Sequence, residues 1–320
     1  MDKPEILVTG TLFAMVMEQL QAAFTVHHLP EAKPEDFLAR VGGSIRGIAT
    51  GGHMKIDGPF MSRFPKLEIV SNFGVGYEAV DAAWAGSQGI VVTNTPDVLT
   101  EEVADTALGL LLMTARNLSQ AERYLRQGRW ETQGPFPLTQ STLRGRKIGI
   151  LALGRIGKAI ARRLEAFGVE IAYHGRTAQR DVAYRYYGDL VAMARDVDIL
   201  VSVAPGGADT FHKIDAAVLE ALGADGILIN VGRGTVVDEK ALVEALRNRT
   251  IHSAGLDVFE HEPHVPGDLV AMDHIVLLPH VGSASVHTRR MMGLLVVDNL
   301  KSWFAGKGAL TAVPEAPWRR

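Results

Sequence analysis

Three short polar stretches of this 320-residue chain gather side chains able to do chemistry on a carbonyl group. The first is Asn230-Val231-Gly232-Arg233-Gly234. Glycines on both sides of Arg233 keep the backbone uncrowded, and a guanidinium fork matches a carboxylate bidentately. The second is Asp257-Val258-Phe259-Glu260-His261-Glu262-Pro263, and the third is Pro279-His280-Val281-Gly282-Ser283. A histidine titrates near neutrality, so His280 suits proton donation to a carbonyl oxygen. Glu262 can bond the far imidazole nitrogen and stabilise the charged ring. Reduction of a 2-keto acid needs a cation for the carboxylate, a proton donor for the oxygen, a group that tunes the donor, and a source of hydride. The bland alternative is a structural histidine after a strand and an aspartate that only caps a helix. Glu262 and His280 are distant in sequence, so their pairing is an expectation about the fold.

The hydride source has its own signature. Ala152-Leu153-Gly154-Arg155-Ile156-Gly157 follows an apolar run and opens a helical one. This is the setting of G-x-G-x-x-G with alanine in the first place. The middle glycine admits a pyrophosphate to backbone amides, the last lets helix and strand pack closely, and the helix N-terminus attracts the anion. The end of the following strand selects the cofactor. An NAD-type site places an acid there for the ribose 2′-hydroxyl. Here the strand runs into His174-Gly175-Arg176-Thr177, and Asp181 comes too late. Arg176, helped by the Thr177 hydroxyl, suits a 2′-phosphate. NADP(H) is therefore expected in preference to NAD(H).

These stretches need strand ends to hold them. Short β-rich runs at 6–8, 24–26, 47–49, 67–70 and 90–93 alternate with helical spacing such as 14–23. A second series follows at 148–151, 169–173, 199–203, 227–230, 252–256 and 275–278. Such alternation implies two doubly wound α/β units with parallel sheets. Each polar stretch falls just after a strand, where ligands bind in such sheets. A long helix is expected after Pro96 with Thr100 as its N-cap, a loop over 127–140, a helix over 158–167, and another over 285–304.

Composition removes several alternatives. There is no cysteine, which excludes disulfides, thiolate catalysis and cysteine-based zinc sites. A net charge of −3, with no basic run, gives no reason to expect nucleic acid or an acidic membrane. The longest apolar stretch, 107–113, is too short to span a bilayer. Residues 1–5 do not read as a signal peptide, and a cytoplasmic location is expected. Pro263 disfavours the helix that would align His261 with His264, so no metal site is expected.

Together these residues resemble the D-isomer-specific 2-hydroxyacid dehydrogenase family, in particular its glyoxylate/hydroxypyruvate reductase branch. The resemblance covers nearly the whole chain and rests on 72–81, 94–105, 153–157, 230–234, 256–263 and 278–285. It implies a Rossmann cofactor domain (99–286) inserted into a flavodoxin-like substrate domain (1–98 and 287–320). It implies Arg233, Glu262 and His280 as the catalytic set. Val75 and Gly76 would present amides to the substrate carboxylate. Gly51 and Gly52, in the loop Thr50 to His53, would form a second wall, and Ser283 would complete the substrate contacts. The cofactor would lie along Leu153, Gly154, Arg155, Ile156 and Gly157, with Gly175, Arg176 and Thr177 at its phosphate. Val203, Ala204 and Pro205 would flank its adenosine, and Val231, Gly232, His280 and Gly282 would also contact it. Asp257 would hold the carboxamide. A homodimer through the cofactor domain is implied. The departure is Ala152, in place of a glycine. The competing expectations are a reductase of bulkier keto acids such as hydroxyphenylpyruvate, and a non-catalytic nucleotide sensor like the corepressors of this fold.

Overall fold

A computed structural model describes residues 3–32, 34–51 and 54–318. The chain divides into two compact units, Met1–Leu99 with Ser285–Arg320, and Thr100–Ala284.

The first unit contains β1 (Glu5–Thr9), α1 (Ala14–Ala23), β2 (Thr25–His28), α2 (Pro34–Val41), β3 (Ile45–Thr50), α3 (Gly58–Met61), β4 (Ile69–Ser71), α4 (Ala82–Ser87) and β5 (Val91–Thr93). Its strands are all parallel, in the order β2-β1-β3-β4-β5, which is the flavodoxin-like order. β1, β4 and β5 are buried almost throughout because helices cover both faces of the sheet, and such strands read as unbroken apolar runs. One face packs Leu7, Ile48, Val70 and Val92, and the other Ile6, Val8, Ile69 and Val91.

The second unit contains α5 (Thr100–Ala115), α6 (Leu118–Arg126), α7 (Arg129–Gln133), β6 (Lys147–Leu151), α8 (Arg155–Glu165), β7 (Glu170–His174), β8 (Arg185–Tyr187), α9 (Leu190–Asp196), β9 (Ile199–Ser202), α10 (Ala216–Leu222), β10 (Ile227–Asn230), α11 (Glu239–Arg247), β11 (Ser253–Leu256), α12 (Gly267–Val270) and β12 (Val276–Leu277). A 3-10 turn spans Gly234–Val236. The seven parallel strands run β12-β11-β10-β9-β6-β7-β8. The order reverses between β6 and β9, the switch point where Rossmann sheets bind dinucleotides. The chain then returns to the first unit as α13 (Val286–Phe304).

Four expectations need correction. The stretch 127–140 is not all loop, because α7 forms inside it before Gly134 ends the helix. Thr100 is the first helical residue rather than the cap. The second series also gains a strand, β8, where Arg185 is exposed and Tyr187 buried. Ser285, expected inside the last helix, is instead the N-cap of α13, its hydroxyl accepting from the Thr288 amide.

Candidate active site

The phosphate loop begins at Ala152, which has a positive φ of 73° and is the residue aligned with the motif's first glycine. An L-residue with a Cβ adopts that left-handed backbone at a cost. The turn then places Gly154 at the N-cap of α8 with extended backbone and no side-chain cap. The first-turn amides of α8 form the positive end of its dipole. Open space lies where a Gly154 Cβ would stand, as an approaching ligand requires. A Cβ on Gly157 would lie 2.5 Å from the Ala152 carbonyl oxygen, so the helix can start this close to β6 only with glycine there. Leu153 is buried and fixed, its carbonyl accepting from Gln179 Nε2 at 2.7 Å.

The loop after β7 is braced from below. His174 Nδ1 lies 2.9 Å from the Tyr187 carbonyl, and Tyr186 Oη donates to the Gly175 carbonyl at 3.2 Å. Arg176 and Thr177 are exposed on that support. Asp181 is turned to Lys158, 2.6 Å away, and leaves no acid at the end of β7. The N-terminus of α8, a cradle fitted to glycine and a basic strand end suit a dinucleotide with a 2′-phosphate.

Val203, half-buried, and Ala204, buried, follow β9, and Pro205 is exposed after them. Glycines let the next loops close on them. A Cβ on Gly232 would lie 2.5 Å from the Ala204 carbonyl oxygen, and one on Gly234 would overlap the Phe259 carbonyl. Asn230 holds the intervening turn, accepting from the Gly232 amide at 3.1 Å and donating to the Arg233 carbonyl at 3.0 Å. Val231 is buried inside it, while the half-buried Arg233 donates from Nη1 to the Gly232 carbonyl at 2.8 Å.

Glu262 and His280 come together. Glu262 Oε2 lies 2.7 Å from His280 Nδ1, and Oε1 accepts from the Phe259 amide at 3.0 Å. The carboxylate is thereby oriented from its own loop before it meets the ring. The Glu262–Pro263 peptide is cis. His280 itself has φ 53°, a left-handed backbone that an ordinary side chain adopts only when its surroundings dictate it.

Asp257 dictates it. Its carboxylate accepts from the Val281 amide at 2.7 Å and the Gly282 amide at 2.8 Å, and its carbonyl accepts from the His280 amide at 2.8 Å. The residue is 1% exposed, and burial pushes its carboxyl above the usual range. A Cβ on Gly282 would stand 2.9 Å from that carboxylate. Ser283 follows, buried. The roles of Asn230 and Asp257 as braces were invisible in sequence, because each depends on which loops meet.

In the first unit, Asn94 Nδ2 donates to the Val75 carbonyl and Asn72 Nδ2 to the Gly76 carbonyl, both at 2.9 Å. Thr50 Oγ1 accepts from the Phe73 amide, and Thr95 Oγ1 from the Gly74 amide. The loop's carbonyls are thus tied down. Among the described residues the Val75 and Gly76 amides have no acceptor, which suits them to an anion. Gly51 is buried, its amide donating to the Thr9 carbonyl at 2.5 Å. Gly52 and His53 lie outside the described residues.

Residues 108–282 match the family described as D-isomer specific 2-hydroxyacid dehydrogenase, NAD binding domain. The chain is 50% identical over 270 residues to glyoxylate/hydroxypyruvate reductase A of Arabidopsis thaliana, covering 84% of this chain and 86% of that one. It is 47% identical over 314 residues to the hydroxyphenylpyruvate reductase of Plectranthus scutellarioides, covering 98% and 100%. Among solved structures it resembles an NADPH-dependent glyoxylate/hydroxypyruvate reductase of Sinorhizobium meliloti in complex with NADP and malonate. There the TM-score is 0.95 and the identity 55%, over 100% of this chain and 99% of that one. Among the described residues no helix is long and apolar enough to cross a membrane.

Proposed function

This chain belongs to the D-isomer-specific 2-hydroxyacid dehydrogenase family, and on that premise we propose that it reduces small 2-keto acids, glyoxylate and hydroxypyruvate, using NADP(H) in preference to NAD(H). The observation that carries the reading is the Glu262–His280 pair, 2.7 Å apart, with the Arg233 loop packed against the Glu262 loop at Gly234. The relatives named above are reductases rather than nucleotide sensors, and turnover separates the two readings.

Arg233 and Ser283 are proposed to contact the substrate carboxylate from the second unit, and the Val75 and Gly76 amides with Gly51 are the groups of the first unit proposed to contact substrate. His280 holds a proton at Nε2 and releases it to the keto oxygen as that oxygen gains charge. Glu262 stabilises the imidazolium through Nδ1 and keeps the ring from turning. Asp257 holds the loop that carries His280, besides any contact with a carboxamide. Leu153 to Gly157, Gly175 to Thr177, Val203 to Pro205, Val231, Gly232 and Gly282 hold the dinucleotide. When bound, that dinucleotide supplies the hydride taken up by the keto carbon.

The same machinery would serve a bulkier keto acid, and the 47% identity to a hydroxyphenylpyruvate reductase keeps that substrate in the test. Initial rates are measured with glyoxylate, hydroxypyruvate and hydroxyphenylpyruvate, each with NADPH and NADH. The proposal expects the two small acids to be fastest and NADPH to be favoured. A faster rate with hydroxyphenylpyruvate overturns the substrate assignment, and NADH preference overturns the role of Arg176.

The proposed assembly is a homodimer formed through α6 and α7. Neither helix buries a residue within its own chain, yet Leu118, Leu125 and Trp130 stand exposed on them. An apolar face of this kind is an interface awaiting a partner.

A further inference from the structure

The cofactor loops follow the C-terminal ends of the parallel strands, and a second concentration of polar side chains lies at the opposite edge. A cavity of about 490 Å³ opens there, lined by Asn117, Gln140, Asp225, Arg249, His252 and His274 among others. Its residues precede strands: Asp225 lies before β10, His252 directly before β11, and His274 before β12. A strand of four residues separates the two edges by about 13 Å, so this cavity is not part of the cofactor groove.

Two features point to a ligand. His274 Nε2 is fully buried and has no hydrogen-bond partner. The Leu246 carbonyl interacts with the ring, which favours the proton on the other nitrogen and leaves Nε2 as an acceptor in need of a donor. Arg249 is the second feature. It occupies the left-handed position just past the end of α11, with φ 57°, where glycine or asparagine is the usual residue. No described carboxylate or carbonyl accepts a hydrogen bond from its guanidinium. A cation kept at a strained turn, beside an orphaned acceptor, suits an oxyanion that also carries a hydroxyl.

We propose that this cavity binds inorganic phosphate, with charged oxygens on Arg249 and the remaining hydroxyl donating to His274 Nε2. His252 completes the basic wall, and among the described residues lining it Asp225 is the one acid. Both histidines are held below the usual imidazole range, chiefly by burial and then by Arg249. Arg146 adds to the effect at His252, whereas Asp225 opposes it there and Asp273 opposes it at His274. With neutral rings the site distinguishes phosphate from sulfate, which has the same shape but no hydroxyl to give. As pH falls and the rings charge, that distinction fades and either anion binds.

The test uses protein saturated with NADP, so that the phosphate-binding groups of the cofactor site are filled. Phosphate and sulfate are titrated by calorimetry at constant ionic strength, near pH 7.5 and again at successively lower pH below 6.5. At the higher pH the proposal expects saturable phosphate binding at least tenfold tighter than sulfate, narrowing at the lower pH. Arg249→Gln should weaken phosphate at least tenfold while leaving the reductase rate unchanged. His274→Phe should erase the preference for phosphate over sulfate. Equal affinities for the two anions near pH 7.5, an unaltered affinity in Arg249→Gln, or no saturable binding would each overturn the proposal. None of these readouts depends on which keto acid is reduced.

Discussion

His280 reaches its place on a strained backbone, with Asp257 beneath its loop and Glu262 at its ring. Removing the ring should therefore harm proton transfer and little else. His280→Ala is expected to lower kcat by about a hundred- to ten-thousand-fold, the usual worth of a positioned proton donor. The dissociation constant for NADPH, measured by fluorescence titration, should stay within a few-fold. Equal losses in both would remove His280 from the chemistry. Ala152 poses the opposite case, a strained residue with no chemical duty. Its left-handed backbone costs roughly 1–2 kcal/mol, of which glycine would return part to a freer unfolded chain. Ala152→Gly should thus stabilise the protein by about 0.5–1 kcal/mol in urea unfolding. An unchanged or lower stability would show that the alanine is not strained there. The sequence displays residues such as Arg233, Glu262 and His280 because each follows an apolar strand. It does not display Asn230 or Asp257 as braces, since their partners are backbone amides whose positions depend on how two loops meet.

At the scale of elements, the loops after β9, β10 and β11 are pressed together through glycine. Gly234 is the tightest point, since any Cβ there would overlap the Phe259 carbonyl. Gly234→Ala must push apart the loop of Arg233 and the loop that holds Glu262. A cost of about 3 kcal/mol in unfolding is expected, at the upper end for overpacking, and the KM for the keto acid should rise because Arg233 moves. Wild-type KM and stability together would mean that the loops have slack. The same packing explains which elements could be read in advance. Central strands such as β9 and β10 are buried on both faces, so Ile199-Leu200-Val201 and Ile227-Leu228-Ile229 stand out as apolar runs. β8 lies at the sheet edge with only Tyr187 buried, and Arg185-Tyr186-Tyr187 carries no such run. α7 hides between Gly128 and Gly134, both left-handed, which punctuate a single helical turn as though it were loop.

For the whole molecule, the two strand orders follow from the βαβ alternation, but association does not, because an exposed apolar helix face has meaning only against a partner. If the proposed homodimer forms, replacing Leu125 and Trp130 together by Glu is expected to leave a monomer in light scattering, and a wild-type chain that is already monomeric would refute the assembly. Stability against pH follows from burial on the second unit. His252 and His274 are held below the ordinary imidazole value of 6.5, so the folded state resists protons that the unfolded state accepts. The stability held by those neutral rings is present above 6.5 and is lost as pH falls through their lower folded values. Asp257 and Glu239 act with the opposite sign: burial raises both carboxyls, so their cost to the fold is relieved as pH falls through their raised values. The two effects overlap in acid, and only a difference between variants separates them. His252→Gln with His274→Gln leaves the carboxyls alone. Urea unfolding free energies from pH 8 to pH 5 should therefore fall less steeply in this double variant than in the wild type, and the gap should open just below 6.5, where free imidazole begins to charge. Parallel curves would mean that water reaches both rings well enough to leave them as ordinary histidines, and the phosphate preference would then fade from about 6.5 downward instead of at the lower folded values.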